Sequence, residues 1–306
     1  MRVGFNLPQI GPAAGPSSIV NAAKRAEELG YDSLWVTERL LYPIKPQIPY
    51  AWSPDGLFPE AYKRVFDPLE ALTYAAAHTA RVTLGTSVLD IPFYNPVLLA
   101  RYLTTLDVLS AGRLRVGLGQ GWSPDEHDAA GASMKGRDPR ADEFIKVLKA
   151  IWTTDPVEFH GKYFHFPKSI IQPKPVQKPH PPIYLAANSP SALKRAAILA
   201  DGWNPVGVPI DGLKQTTTQL KNMVQEAGRN PADFKVVLRA NLAVTQEPVV
   251  KDRWMFSGTL KQIGEDIRSV RELGVVDELF FDPTFSPDTR SGQDFLRHME
   301  QMRKLL

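Results

Sequence analysis

Short apolar runs alternate along this chain with longer segments in which apolar positions recur every three or four residues. The runs read as strands centred on Val3–Leu7, Ser33–Thr37, Val82–Val88, Leu114–Gly119, Pro182–Ala186, Gly202–Pro205, Val236–Val244 and Glu278–Asp282. Most lack polar alternation, the pattern of parallel strands covered on both faces. The intervening segments read as amphipathic helices: Ile19, Ala22, Ala23, Ala26 and Leu29 form one stripe, Phe144, Val147, Leu148 and Ile151 a second, and Ile263, Ile267, Val270 and Leu273 a third. Two helix ends share the form Glu28-Leu29-Gly30 and Glu272-Leu273-Gly274, with glycine where a helix closes in the left-handed conformation. Eight strands alternating with eight helices predict a single (β/α)8 barrel, a TIM barrel, occupying residues 1–306 as one domain. The competing fold is a doubly wound open sheet, which calls for Gly-x-Gly-x-x-Gly after the first strand; the chain has Asn6-Leu7-Pro8-Gln9-Ile10-Gly11 there.

Two connections are longer than barrel loops require. Pro43 to Phe66, after strand 2, is rich in proline and aromatic residues. Thr153 to Pro181, before strand 5, reads as a hairpin turning at His160-Gly161, followed by a proline-rich arm. Such insertions serve as lids or subunit contacts. With 306 residues and 43% hydrophobic content, the chain can bury one large core. A net charge of +3, with both signs dispersed, offers no basic stripe for nucleic acid. No apolar run approaches the roughly 20 residues of a membrane span. Met1 runs directly into a strand, so no signal peptide is expected and the location is read as cytoplasmic. The absence of cysteine removes disulfides, thiolate metal sites and a cysteine nucleophile. The six histidines lack metal-ligand spacing, so no metal site is expected.

Four helices open with a capping residue and proline: Asp67-Pro68, Asn95-Pro96, Ser123-Pro124 and Ser189-Pro190. Asp67 to Glu70 and Ser123 to Glu126 have capping-box spacing. All four follow strands, which places them at the C-terminal mouth, where barrel enzymes carry their sites and where helix dipoles favour an anion. The strand ends there are small or polar: Gly85-Thr86-Ser87-Val88, Gly117-Leu118-Gly119-Gln120-Gly121-Trp122 and Ala186-Ala187-Asn188. The alternating glycines allow a close backbone approach, and Ala187-Asn188-Ser189 running into a helix suits a phosphate. Together they outline a site for a planar, phosphorylated cofactor.

Trp35-Val36-Thr37-Glu38, Gly85-Thr86-Ser87-Val88, Gly119 to Glu126, Pro173 to Pro182, Ala187 to Pro190 and Ala200-Asp201-Gly202-Trp203, in this order and spacing, resemble the luciferase-like monooxygenase superfamily and its F420-dependent oxidoreductase branch. The resemblance implies a barrel holding F420, with FMN as the alternative cofactor, acting on a small molecule as a homodimer. It implies that Thr86, Ser87 and Val88 line the ring, with a cis Ser87–Val88 bond. Gly121, Trp122 and Ser123 would border the ring or its tail, and Ala187, Asn188 and Ser189 would meet the phosphate. Glu38 takes the acidic position near the deazaflavin, and Arg39 stands where many F420 members have histidine. Glu38 and Arg39 are therefore the candidate catalytic residues.

Arg39 is expected to pair with Glu38 or to touch substrate, Glu126 to close its capping box, and Asn6 to face the pocket or belong to a turn. Tyr42, Tyr50, Trp52 and Tyr94 are candidate pocket walls, and His127 is the histidine nearest the site. Three functions fit these residues: an F420-dependent hydride-transfer oxidoreductase, an FMN-dependent monooxygenase, and a barrel that binds flavin or deazaflavin without turnover.

Overall fold

In the computed structural model, the chain is described at every residue from 1 to 306 except Trp52 and Pro54. It runs β1 (Arg2–Asn6), α1 (Pro16–Glu28), β2 (Ser33–Val36), α2 (Pro68–Ala76), β3 (Thr83–Thr86), β4 (Leu89–Asp90), α3 (Pro96–Leu109) and β5 (Leu114–Gly119). Then come α4 (Pro124–Ala129), α5 (Arg137–Thr153), β6 (Val157–His160), β7 (His165–Ser169), β8 (Ile183–Leu185), α6 (Pro190–Leu199), β9 (Gly202–Trp203) and α7 (Ile210–Glu226). The chain ends with β10 (Lys235–Asn241), β11 (Ala243–Val244), β12 (Ser257–Gly258), α8 (Leu260–Leu273), β13 (Glu278–Asp282) and α9 (Gly292–Leu305).

Parallel pairing follows the cycle β1-β2-β3-β5-β8-β9-β10-β13 and back to β1, and the β3–β5 pairing closes the ring. The fold is a (β/α)8 barrel, which excludes the open sheet. The third and seventh strands are interrupted where their apolar runs continue. The third stops at Thr86, passes a cis Ser87–Val88 peptide, and resumes as β4 beside β5. The seventh ends at Asn241, and Ala243–Val244 leaves the barrel to pair with β12. The expected hairpin is present as the antiparallel pair β6–β7. The helix that opens at Ser123-Pro124 is the short α4, and α5 follows it as a separate helix before β6, which makes one helix more than the eight predicted.

The strands fill the barrel by alternation. Val3 and Phe5 face outward, where Phe5 packs edge-on against Tyr31 and Phe295 at 5.4 and 5.5 Å. Gly4 faces inward. At its level Trp35, Tyr184, Val237 and Phe280 form a separate buried cluster, with Trp35 stacked 4.7 Å from Phe280. The three aromatic side chains and Val237 come from β2, β8, β13 and β10, and glycines 4, 85, 117 and 202 pair beside the aromatic residues on the other four strands. Large and absent side chains thus interleave in one filled layer, as barrel cores require. A Cβ on Gly85 would lie 2.3 Å from the Trp35 ring.

The predicted helix stripes are the buried ones: Ile19, Ala22, Ala23 and Ala26 in α1, Phe144, Val147, Leu148 and Ile151 in α5, and Ile263, Ile267 and Val270 in α8. Gly30 and Gly274 take the expected left-handed conformation at φ 73° and 70°. All four cap-proline starts are capped as read, by Asp67, Asn95, Ser123 and Ser189. The two predicted capping boxes are not reciprocated. Asp67 accepts from Leu69 N and Glu70 N with no capping box formed, and Glu126 turns away toward Arg39. Among the described residues the complete box is Thr259 with Gln262, which opens α8.

Glycine is required most strictly at 117, where a Cβ would lie 1.9 Å from the Thr86 carbonyl oxygen. Gly117→Ala should therefore destabilise the protein by about 3 kcal/mol or more. Gly264, inside α8, would carry a Cβ at an ordinary 3.5 Å from Leu305. Gly264→Ala should raise stability by roughly 0.5–1 kcal/mol through helix propensity. Urea unfolding of both variants measures the contrast, and equal effects would contradict it.

Candidate active site

The strand alternation that fills the middle of the barrel with Trp35 and Phe280 puts Asn6, Ser87, Asn204, Arg239 and Asp282 one step nearer the C-terminal mouth. These residues form a polar floor. Ser87 Oγ donates to Asn204 Oδ1 at 2.7 Å, and Asn204 Nδ2 donates to the Val237 carbonyl at 2.7 Å. Arg239 reaches across from β10 to donate to the Ser87 carbonyl at 3.1 Å, and its other nitrogen pairs with buried Asp282 at 2.6 Å. The turn after Thr86 is thus fastened from the opposite side of the barrel.

The glycines of β5 make room for that turn. Gly117 accommodates the Thr86 carbonyl, and a Cβ on Gly119 would meet Val88 at 2.5 Å and Asp90 at 2.7 Å. The close approach that these glycines permit is made by the neighbouring strand. Thr86 Oγ1 accepts from Gly117 N and donates to Gly117 O, both at 2.8 Å, which engages its hydroxyl in the wall.

Three buried carboxylates tie the mouth loops together. Glu38 accepts from Asp90 N at 2.6 Å and from the Tyr94 hydroxyl. Asp90 accepts from Gly121 N at 2.8 Å. Glu126 accepts from Leu40 N at 2.7 Å and from Arg39 Nη1 at 2.8 Å. The ion partner of Arg39 is therefore Glu126, and the expected Arg39–Glu38 pair is corrected: Arg39 meets Glu38 through its backbone carbonyl, at 2.8 Å. A capping-box role for Glu126 is corrected too, because a buried guanidinium is a stronger claim on a carboxylate than one neutral backbone N–H. The Arg39 guanidinium lies 5.3 Å from the Tyr62 ring and 5.4 Å from the Trp122 ring. Trp122 packs with Tyr50 and Phe58 of the lid that follows β2. Tyr42 packs on Phe58 in the same lid. Trp52 lies outside the described residues.

The remaining candidates lie around this rim. Gly121 is left-handed at φ 63°, and its carbonyl accepts from Arg137 at 2.9 Å. Buried Ser123 caps α4. Ala187 is buried, its carbonyl accepting from Trp203 Nε1 at 2.9 Å, while Asn188 is exposed. Ser189 caps α6, and Ser191 beside it donates to Asp138, whose charge Arg195 answers at 2.9 Å. His127 is fully buried against Phe93, with neither ring nitrogen bonded.

Several mouth atoms are buried without a partner: both amide atoms of Asn6, Gln9 Oε1, Arg239 Nε and Thr284 Oγ1. Such atoms are costly unless a ligand or water completes them. They include donors and acceptors and sit on β1, β10 and the segments after β1 and β13, around the mouth that the Ser87 turn also lines. A flat heterocycle with carbonyl and N–H edges fits this arrangement. Among the described residues no group of three or more metal-ligating side chains is assembled. No helix among them is long and apolar enough to cross a membrane. Asp90, Asn204, Arg239, Asp282 and Thr284 are mouth residues that the motif reading does not single out.

Burial pushes the Glu38 carboxyl up from 4.5 to about 8, and the negative charge of Asp90 adds to the effect. Folded protein then keeps a proton on Glu38 at pH values where the unfolded chain has lost it. Stability should fall as pH rises from about 4.5 to about 8. Glu38→Gln should flatten that slope in urea midpoints taken at pH 5, 6.5 and 8, and an unchanged slope would contradict the assignment. Glu126→Ala, which leaves Arg39 buried without its partner, should cost about 3–5 kcal/mol in the same measurement.

Residues 2–253 match the family model described as luciferase-like monooxygenase. An uncharacterized protein of Mycobacterium tuberculosis is 32% identical over 92% of this chain and 91% of its own length. An F420-dependent glucose-6-phosphate dehydrogenase of Amycolatopsis mediterranei is 34% identical over 69% of this chain and 59% of its own. An FMNH2-dependent dimethylsulfone monooxygenase of Pseudomonas putida is 32% identical over 54% and 45%. The crystal structure of monooxygenase RslO1 from Streptomyces bottropensis superposes with a TM-score of 0.81 at 23% identity, covering 100% of this chain and 98% of that one. With the barrel closed and residues 2–253 matching that family's model, this chain belongs to the luciferase-like monooxygenase family.

Proposed function

We propose that the chain is a cytoplasmic oxidoreductase that transfers a hydride between coenzyme F420 and a small organic substrate, acting over residues 1–306 as one barrel domain. The observation that carries this reading is the arc of buried, unpartnered polar atoms on Asn6, Gln9, Arg239 and Thr284 around the mouth that the Ser87 turn also lines. Bound F420 supplies a hydride acceptor and donor at C5 of its deazaflavin ring. Asn6 and Arg239 would hold the polar edge of the ring, the Ser87–Val88 turn its face, and Ala187 to Ser189 its phosphate. Glu38 acts by holding the turn through Asp90 N–H, and Arg39 supplies a fixed positive charge under Trp122 and Tyr62. The lid residues Tyr50, Phe58 and Tyr62 exclude water from the mouth. The similarity to the F420-dependent dehydrogenase of Amycolatopsis supports this cofactor.

The second reading, an FMN-dependent monooxygenase, is favoured by the similarity to the FMNH2-dependent enzyme of Pseudomonas. A homodimer belongs to either reading. Leu98, Tyr102 and Leu109 form an exposed apolar stripe on α3, and Tyr74 on α2 is exposed as well.

Anaerobic fluorescence titration with F420 and with FMN separates the two cofactors. F420 should bind at micromolar concentration or tighter, and Asn6→Leu and Arg239→Met should each weaken it about tenfold, the loss of one hydrogen bond to a buried partner. Tight FMN binding without F420 binding would overturn the reading in favour of the monooxygenase. Cofactor binding without hydride exchange across alcohol, aldehyde and ketone panels would make the barrel a non-catalytic binder.

A further inference from the structure

The hairpin that turns at His160-Gly161 plays no part in the site at the mouth. Its strands pair Phe159 with Phe166 and His160 with His165. Successive pairs along a hairpin face opposite ways. Phe159 and Phe166 stack at 6.2 Å and pack against the core, whereas both histidines are exposed. The Nδ1 atoms of His160 and His165 lie 3.0 Å apart, and their ring centroids 4.6 Å apart. Their spacing along the chain matches no helical ligand pattern; the antiparallel register is what joins them.

The turn between the two histidines is held from outside the hairpin. Glu143 of α5 accepts from Lys162 N, Tyr163 N and Phe164 N at 3.0, 2.8 and 2.6 Å. Gly161 N donates to the Phe164 carbonyl at 2.9 Å. A Cβ on Gly161 would lie 2.1 Å from Glu143 Oε1, so glycine is what admits the carboxylate. An ion arriving at this surface therefore meets two rings already placed, and little ordering remains to be done.

Glu158, two residues before His160, has Oε2 3.4 Å from His160 Nε2. A carboxylate at the far nitrogen keeps the proton there and leaves Nδ1 as a lone pair, the arrangement that orients histidine ligands. Two ring nitrogens each about 2.1 Å from one ion, at roughly 90°, stand about 3.0 Å apart with ring centres about 4.6 Å apart. Both separations are those of His160 and His165. A right angle belongs to neighbouring positions of a tetragonal or octahedral ion, where a tetrahedral one spreads its ligands further. Glu158 sits beyond the far nitrogen and is not a ligand, so the protein supplies two ligands and water the rest. That agrees with the lack of any three-ligand group among the described residues.

We propose that Nδ1 of His160 and Nδ1 of His165 bind one divalent transition-metal ion of the nickel and copper type, which ties β6 to β7 beside the turn. The site stands apart from the mouth and does not rest on the cofactor proposed there.

Calorimetric titration of tag-free, metal-stripped full-length protein with nickel chloride tests it. One ion should bind per chain at micromolar concentration. His160→Ala and His165→Ala, both at exposed positions, should each weaken binding tenfold or more while leaving the thermal midpoint of the metal-free protein unchanged. Glu158→Gln should weaken it about tenfold. The electron paramagnetic resonance spectrum with one equivalent of copper should show hyperfine splitting from two imidazole nitrogens, lost in the double histidine variant. No nickel binding at micromolar concentration, binding that survives in the double variant, or a copper spectrum that the double variant leaves unchanged overturns the proposal.

Discussion

The Thr86 carbonyl lies where any side chain on Gly117 would have to be. That exclusion is the constraint on which the mouth depends. It lets β3 break away from the barrel after Thr86, turn through Ser87 and Val88, and return as β4 against the same strand. Once the turn exists, its polar groups need partners. Asn204 and the Arg239–Asp282 pair supply them from the far side of the barrel. Because those three residues face inward, the floor of the mouth becomes polar instead of continuing the aromatic layer beneath it. A polar floor with unmatched donors and acceptors is a binding surface.

A second level of order comes from Glu38, Asp90 and Glu126. Each carboxylate is buried, and each accepts a backbone N–H from a different mouth loop: Glu38 from the turn, Asp90 from the glycine-rich segment, Glu126 from the lid base. Isolated buried carboxylates are unfavourable, but these are completed by N–H groups that also need acceptors. The loops are thereby set relative to one another by hydrogen bonds, in a chain that has no cysteine. The Arg39–Glu126 pair lies within this arrangement and orients the aromatic lid through Tyr62 and Trp122.

Much of the barrel was legible in the sequence. Strand and helix periods located its elements, and the cap-proline pairs marked helix starts that the structure places after the strands. The roles of particular residues were harder to read. Ser123 and Glu126 have the spacing of a capping box, yet whether Glu126 closes it depends on Arg39, which is distant in sequence. The glycines at 117 and 119 signalled a close approach without saying what approached. Arg239 and Asn204 belong to no motif, but their phase could have been read: Val237 and Gly202 share a layer with Trp35, so residues two further along face the mouth. Strand alternation, applied consistently from Gly4 to Asn6 and from Phe280 to Asp282, carries that information.

The central claim is that the Ser87 turn and the polar arc around the same mouth form one seat for a planar cofactor. A crystal structure grown with F420 tests it most directly. The account predicts the deazaflavin ring against Ser87 and Val88, with its polar edge bonded to Asn6 or the Arg239 guanidinium. A ring bound elsewhere on the barrel, or Asn6 and Arg239 satisfied only by water while the ring is in place, would contradict it.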